Sequence, residues 1–171
     1  AERAGRLRVG GAMVAASDAA AGTLLMPDKS MRRVAVTSCR DALNGYQQGK
    51  CFYCSALISV IDRATLADVD HFFPHALRPT ALGGAINGVW NLVLVCANCN
   101  RGAGGKFDRV PDEYLLRRLH ARNEFLIGSH HPLRETLIQQ TGSSEEDRRD
   151  FLWNFYKAAV ATLIHRWRPR D

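Results

Sequence analysis

The sequence predicts an α+β domain in which a strand, a loop, a second strand and a short helix are followed by longer helices. Two β-rich runs lie between residues 66 and 95, and a Cys-x-x-Cys pair flanks them on each side. Beyond residue 111, apolar residues recur at helical spacing. A chain of 171 residues can bury one hydrophobic core. The expected architecture is therefore one stapled core segment surrounded by α-helices.

The first half of the chain has recognisable element boundaries. Apolar residues at near-helical spacing predict a helix over about residues 31–48, with Gly49 marking its end. Leu66–Phe73 alternates apolar and polar residues and predicts a short strand, which Pro74 ends. Val89–Val95 is β-rich and predicts the second strand, and a short helix is expected before Gly104.

Two longer helices are predicted in the second half. Asp112–Leu126 is amphipathic, and its inward residues are expected to include Tyr114 and Phe125. Ser143 and Ser144 followed by two glutamates predict a capping box before a last helix, whose apolar face is expected to carry Phe151, Phe155, Val160 and Ile164. Residues 127–171 are thus expected to be a C-terminal helical extension.

The charge balance favours a polyanionic partner. Lys and Arg number 23 against 17 Asp and Glu, which gives a formal net charge of +6. Four of the basic residues are Lys and the other nineteen are Arg, the side chain that binds phosphate in a bidentate way. A codon preference of the genome explains the Arg excess equally well. No apolar run approaches the roughly 18 residues of a membrane span, so no membrane partner is expected.

The cysteines predict a structural zinc site. Cys51, Cys54, Cys96 and Cys99 form two i, i+3 pairs, the pattern of a closed tetrahedral site with four thiolate ligands. Such pairs are typical of a reducing compartment, and we expect a cytoplasmic protein. The gap of 41 residues between Cys54 and Cys96 exceeds the usual spacing of about 15–20. Cys39 is expected to be a buried apolar residue.

Three motifs occur in order in the segment between and around these pairs: Val69-Asp70-His71-Phe72-Phe73-Pro74, then Trp90-Asn91-Leu92-Val93, and then Cys96-x-x-Cys99-Asn100-Arg101 with Lys106 following. Together they resemble the HNH endonuclease signature of the ββα-metal (His-Me finger) nucleases. The similarity covers about residues 50–107. The resemblance implies a zinc-stapled ββα-metal core within residues 31–126, and residues 1–30 are then an N-terminal arm or the end of an upstream region.

The resemblance also implies roles for single residues. His71 is expected to be the general base, Asp70 and Asn100 to hold a catalytic divalent cation, and Asn91 to tie the loop that carries His71 into shape. Asn100 stands where many relatives have His, and its amide oxygen favours Mg²⁺, with Mn²⁺ as the other candidate. Phosphodiester hydrolysis needs a base with a near-neutral pKa and a cation that offsets phosphate charge, and these residue types supply both.

Other basic and titratable residues leave alternatives open. Arg101 and Lys106 flank the short helix and are expected either to hold a phosphate of the nucleic acid or to serve solubility. The stripe of Arg117, Arg118 and Arg122 could follow a phosphate backbone or be an ordinary solvated helix face. His75 is a weaker catalytic candidate than His71, and Asp68 is expected to be a solvated strand residue.

The resemblance therefore implies a metal-dependent endonuclease that cuts DNA with a single catalytic divalent cation and leaves a 5′-phosphate. One alternative is a zinc-containing module that binds nucleic acid without cutting it. Another is an RNase, because this kind of site does not distinguish the two sugars by itself. The chain could also be a domain of a larger phage-defence or mobile-element protein.

Overall fold

The structure is a computed structural model that describes residues 39–170. Predictions for the arm at 1–30 and for the start of the first helix lie outside these residues. The chain forms a mixed α+β fold, as predicted. Its helices are α1 (residues 39–47), α2 (Ala97–Arg101), α3 (Glu113–Gly128), α4 (Arg134–Thr141) and α5 (Glu145–Thr162), and its strands are β1 (Asp68–His71), β2 (Leu92–Val95), β3 (Val110–Pro111) and β4 (Arg166–Trp167).

The centre of the fold is an antiparallel hairpin followed by a short helix. β1 pairs with β2 from Asp68 opposite Val95 to His71 opposite Leu92. Both strands are shorter than predicted. β1 stops two residues before the expected end, and the start of the second β-rich run, Val89–Asn91, is a 3₁₀ turn instead of strand. All four residues of β2 are buried, so this strand runs through the core.

α2 follows β2 directly and is tightly bounded. Cys96 caps its N-terminus, with its sulfur accepting a hydrogen bond from the Cys99 amide at 3.5 Å. The helix ends at Gly102, where a Cβ atom would lie 2.7 Å from the Cα of Asn98. Only glycine lets the chain fold back this closely. The turn brings Lys106 back to the helix, where its amide donates to the Cys99 carbonyl at 2.6 Å.

Three longer helices pack beside the hairpin. α5 begins with a capping box, although the reciprocal partner of Ser144 is Asp147 and not a glutamate. α5 ends at Thr162, so the prediction that Ile164 lies on its apolar face is wrong: Ile164 follows the helix and is 76% exposed. The predicted burial of Tyr114 and Phe125 is also wrong, since each is 51% exposed. Leucines fill the inward face of α3 instead, namely Leu115, Leu116, Leu119 and Leu126.

An aromatic cluster joins the hairpin to α5. Trp90 lies edge-on against Phe151 and Phe155, with ring centroids 4.9 and 5.0 Å apart. Phe73, two residues beyond β1, packs 4.7 Å from Phe155. These contacts fix the chain on both sides of the hairpin, at the end of β1 and before the start of β2.

A second, two-stranded sheet was not predicted. β3 pairs in parallel with β4, which brings residues near the C-terminus back to the loop after α2. The Trp167 indole Nε1 donates to the Gly104 carbonyl at 2.8 Å, and its ring packs 4.9 Å from that of Tyr53. Within residues 39–170, no helix combines the length and apolar composition that crossing a membrane requires.

Candidate metal centre and active site

Four cysteines come together, two from the segment after α1 and two from the start of α2. The sulfurs of Cys51, Cys54, Cys96 and Cys99 all lie within 4.8 Å of one another, so the prediction that they come together is confirmed. The backbone amide of Cys96 donates to the sulfur of Cys51 at 3.3 Å. Cys39 is buried and lies outside the group. The cluster could bind a structural metal such as zinc, and four thiolates leave no open coordination position.

The thiols of the cluster differ in how readily they ionise. Burial raises the pKa of the Cys51 thiol to about 11, and burial with the neighbouring thiols also raises the pKa of Cys99. Burial opposes ionisation of Cys54 too, but hydrogen bonds from the Ala56 amide and the other thiols outweigh it and lower its pKa. A redox-active Cys-x-x-Cys pair needs only one thiol with a lowered pKa and one partner thiol. A redox role would therefore leave the other Cys-x-x-Cys pair of the cluster unexplained. A divalent metal ion accounts for all four, because its charge would deprotonate the buried sulfurs as well.

An acidic face of β1 points towards α2. Asp68 and Asp70 are two residues apart, so their side chains lie on the same face of the strand. The Asp68 carboxylate accepts hydrogen bonds from Asn100 Nδ2 at 3.0 Å and from Arg101 Nε at 2.9 Å. Burial opposes ionisation of Asp68, but the hydrogen bonds from Arg101 and Asn100 outweigh it and lower its pKa. Asp68 is therefore ionised at neutral pH.

Asp70 lies deeper and is paired with Lys106. Its Oδ2 atom accepts from the Tyr53 hydroxyl at 2.8 Å and lies 3.1 Å from Lys106 Nζ. The side chain of Lys106 is fully buried and that of Asp70 is 11% exposed. Burial raises the pKa of Asp70 and lowers that of Lys106, while the charge of each partner opposes the shift of the other.

Two of the predicted site residues, Lys106 and Asn100, have contacts other than the expected ones. Lys106 does not lie at the surface, so a direct contact between its ammonium and a phosphate is not supported by its place in the fold. The turn that begins at Gly102 carries it inward. Asn100 hydrogen-bonds Asp68 rather than Asp70, which was expected to be its partner in cation binding.

His71 occupies the last position of β1 and lies on the opposite face from the two aspartates. Its Nε2 atom lies 3.2 Å from Oδ1 of Asn87, in the loop between the two strands. The His75 ring is 5.5 Å from the His71 ring, measured between centroids. His71 is half-buried, so its ring is both fixed by neighbours and reachable from solvent.

Asn91 is completely buried and ties the inter-strand loop together. Its Oδ1 accepts from the Phe73 amide at 2.7 Å. Its Nδ2 donates to the Phe73 carbonyl at 3.0 Å and to the Ile86 carbonyl at 2.8 Å. One side chain thereby joins the segment after His71 to the segment before Gly88, as expected of a residue that shapes the loop.

The arginines divide into surface and buried groups. Arg101 is 66% exposed while it pairs with Asp68, and a cleft beside it is also lined by Arg63 and Asn98. Arg122 is buried, with its Nη2 donating to the Trp90 carbonyl at 2.9 Å. The predicted stripe with Arg117 and Arg118 therefore does not form one exposed basic face.

Three residues of the site were not assigned to it from the sequence: Tyr53, Asp68 and Asn87. Asp68 carried a usable signal, because a residue two positions before Asp70 on a strand must share its face. Tyr53 and Asn87 carried none, since their contacts depend on how the loops fold back. No protein-family model matches this chain, and no curated protein or solved structure shows significant similarity to it.

Proposed function

We propose that this protein is a metal-dependent endonuclease of the HNH type that hydrolyses phosphodiester bonds in DNA. The observation that carries the proposal is the contact between β1 and α2, where Asn100 Nδ2 lies 3.0 Å from Asp68 Oδ2. This contact joins the acidic face of β1 to the amide on α2, and β1 ends on His71. The order of strand, strand and helix agrees with the motif that the sequence resembles.

His71 is the proposed general base. An imidazole titrates near neutral pH and can take a proton from a water molecule that attacks phosphorus. His71 lies on the opposite face of β1 from the two aspartates, but at the last position of the strand, where regular pairing stops, and Pro74 follows three residues later. In this proposal the phosphate therefore lies across the end of β1, where both faces can be reached. A positioned base is worth about 10²–10⁴ in rate.

The oxygen donors between β1 and α2 fit a hard divalent cation such as Mg²⁺ or Mn²⁺. Asp68 supplies a carboxylate, Asn100 supplies an amide oxygen next to the Nδ2 atom that donates to Asp68, and the nearby Asp70 adds a second carboxylate. When bound, the cation would offset negative charge on the phosphate and on the leaving oxygen. Both carboxylates have a basic partner, but Asp70 is held by the fully buried Lys106, whereas the partner of Asp68, Arg101, is 66% exposed. Asp68 is therefore the carboxylate more open to a cation.

The cleft beside α2 supports a polyanionic substrate. Arg63 and Arg101 both line it, and Asp68 lines it as well. In this proposal the two guanidinium groups hold phosphates next to the cut bond. The cysteine cluster, loaded with zinc, holds α2 and the segment at Cys51 in place without taking part in hydrolysis.

The first test is cleavage of supercoiled plasmid by the purified full chain with Mg²⁺, Mn²⁺ or EDTA. His71→Ala should lower the rate by about 10²–10⁴. The matched control is His165→Ala, an exposed histidine beyond α5, which should cut like the wild type. Cutting by wild type that is unaffected by EDTA or by His71→Ala would refute the proposed mechanism.

A second test concerns the substrate. The same proteins should be incubated with a linear RNA, because preference for RNA would favour the RNase alternative. If the zinc-loaded wild type binds DNA tightly and cuts neither polymer, the protein is a binding module. In a binding assay, Arg63→Gln and Arg101→Gln should each reduce the salt slope of DNA affinity by about 1, whereas Arg149→Gln on α5 should leave it unchanged.

A further inference from the structure

Asn87 contacts His71 from the loop between β1 and β2, outside the three motifs that carry the HNH resemblance. The Asn87 Oδ1 atom lies 3.2 Å from Nε2 of His71. The two residues are 16 positions apart, so the hairpin must be closed before they can meet. Asn87 is half-buried, and its neighbours Ile86 and Gly88 are buried.

The contact is held rigidly from both sides. On the histidine side, Phe72 and Phe73 follow His71 and are both completely buried. On the asparagine side, Ile86 is completely buried, and its carbonyl accepts a hydrogen bond from Asn91 at 2.8 Å. Because Asn91 also bonds both backbone groups of Phe73, one buried amide braces the two short segments that present His71 and Asn87.

A glycine makes this loop geometry possible. A Cβ atom at Gly88 would lie 2.4 Å from two atoms of the Trp90 indole, far inside van der Waals contact. The residue after Asn87 must therefore lack a side chain for the chain to pass against Trp90. The large buried indole thus sets the path on which Asn87 approaches His71.

We infer that Asn87 is a positioning residue that fixes the tautomer of His71. An amide oxygen can only accept a hydrogen bond, so Nε2 of His71 carries the proton and Nδ1 keeps its lone pair. The inference rests on the proposed nuclease function, in which Nδ1 is the atom that takes the proton from the attacking water. His75 also faces the ring, with its own ring centroid 5.5 Å away.

The chemistry of an amide suits this task. Its oxygen accepts the Nε2 proton in one direction, which fixes the rotation of the ring as well as the tautomer. The amide adds no charge beside the ring, so it orients the imidazole without attracting a second proton to it. The ring is thereby held in the one form that the proposed reaction uses.

The test compares Asn87→Ala and Asn87→Asp with the wild type, all zinc-loaded. The ¹⁵N chemical shifts of the His71 ring report its tautomer, independently of any cleavage. Asn87→Ala should turn a single Nε2–H form into a mixture of both tautomers and lower kcat by about 100-fold with little change in KM. Asn154→Ala, on the exposed side of α5, should change neither.

Asn87→Asp is nearly isosteric and keeps an acceptor oxygen, so it tests the contact even if the alanine variant folds poorly. It should keep the Nε2–H tautomer that Asn87→Ala loses. An unchanged tautomer in Asn87→Ala, or a mixture of tautomers in folded Asn87→Asp, would overturn the inference. If the wild type cuts no nucleic acid, the nuclease proposal fails, and the ring shifts alone decide the assignment of Asn87.

Discussion

Replacing Lys106 with methionine tests the buried ion pair under β1. The substitution keeps the length of the side chain and removes the ammonium that lies 3.1 Å from Asp70 Oδ2. Asp70 would then keep the Tyr53 hydroxyl as a side-chain donor but would lose the charge that balances it. Removing one partner of a buried pair costs about 3–5 kcal/mol, because the remaining charge stays out of water.

The assay is urea unfolding of the zinc-loaded protein, followed by tryptophan fluorescence at pH 7. With a slope of about 2 kcal/mol per M, the expected cost lowers the unfolding midpoint by roughly 2 M. The double variant Lys106→Met with Asp70→Asn should recover most of this loss, since no unpaired charge remains. The matched control is Arg101→Met, which breaks the exposed pair with Asp68 on the same strand and should cost under about 1 kcal/mol.

The same variant makes a prediction about pH. Burial already raises the pKa of Asp70 in the folded protein, and the charge of Lys106 opposes this rise. Without Lys106, the folded pKa of Asp70 should therefore rise further above its unfolded value. A carboxyl with a raised folded pKa favours folding while it is protonated and disfavours it as the pH rises. The stability deficit of Lys106→Met should therefore shrink as the pH is lowered from neutrality towards the raised pKa of Asp70. A deficit no larger than that of Arg101→Met, at any pH, would refute the idea that Lys106 compensates a buried charge.

Further outcomes follow from the metal cluster and from the buried asparagine. Cys96→Ser should lose bound zinc, measured by elemental analysis of the purified protein, whereas Cys39→Ser should keep it. Zinc affinity should rise at least about 100-fold for each unit of pH near neutrality in a chelator competition, because raised thiol pKa values at Cys51 and Cys99 require at least two protons to be displaced. Asn91→Ala should cost about 3 kcal/mol in urea unfolding, since three buried backbone groups lose their partner. Asn154→Ala, on the exposed side of α5, should cost under about 0.5 kcal/mol.

The sequence predicted the elements whose signals are local. Cysteine spacing identified the four residues of the cluster, and the capping signal at Ser144 lies at a helix start in the structure. The short helix was expected to end before Gly104 and ends at Arg101. Helical periodicity gave α3 almost to its limits but misplaced Tyr114 and Phe125. From the pattern alone, an aromatic residue next to a leucine-rich helix face is expected to be buried. Whether it is buried depends on the width of the buried stripe, which the pattern does not give.

The parts that escaped prediction depend on contacts distant in sequence. β3 and β4 are two residues long, and neither carries an alternating pattern that could predict a strand. A lysine in this stretch is expected at the surface, and only the inward turn after α2 explains why Lys106 is buried. Asn87 is an ordinary loop residue in the sequence, and only the closed hairpin gives it a partner. Short pairings and loop geometry are the features that local propensity does not encode.

The pairing of β4 with β3 has a consequence for the order in which this protein can assemble during translation. Gly104 and Trp167 are 63 positions apart, so a ribosome adding about 5–20 residues per second needs roughly 3–13 s between them. During that interval the hairpin, α2 and all four cysteines are already synthesised, while the indole that packs on Tyr53 does not yet exist. An early-acquired metal in the cysteine cluster would then hold the hairpin of the nascent chain until the late-made strand arrives.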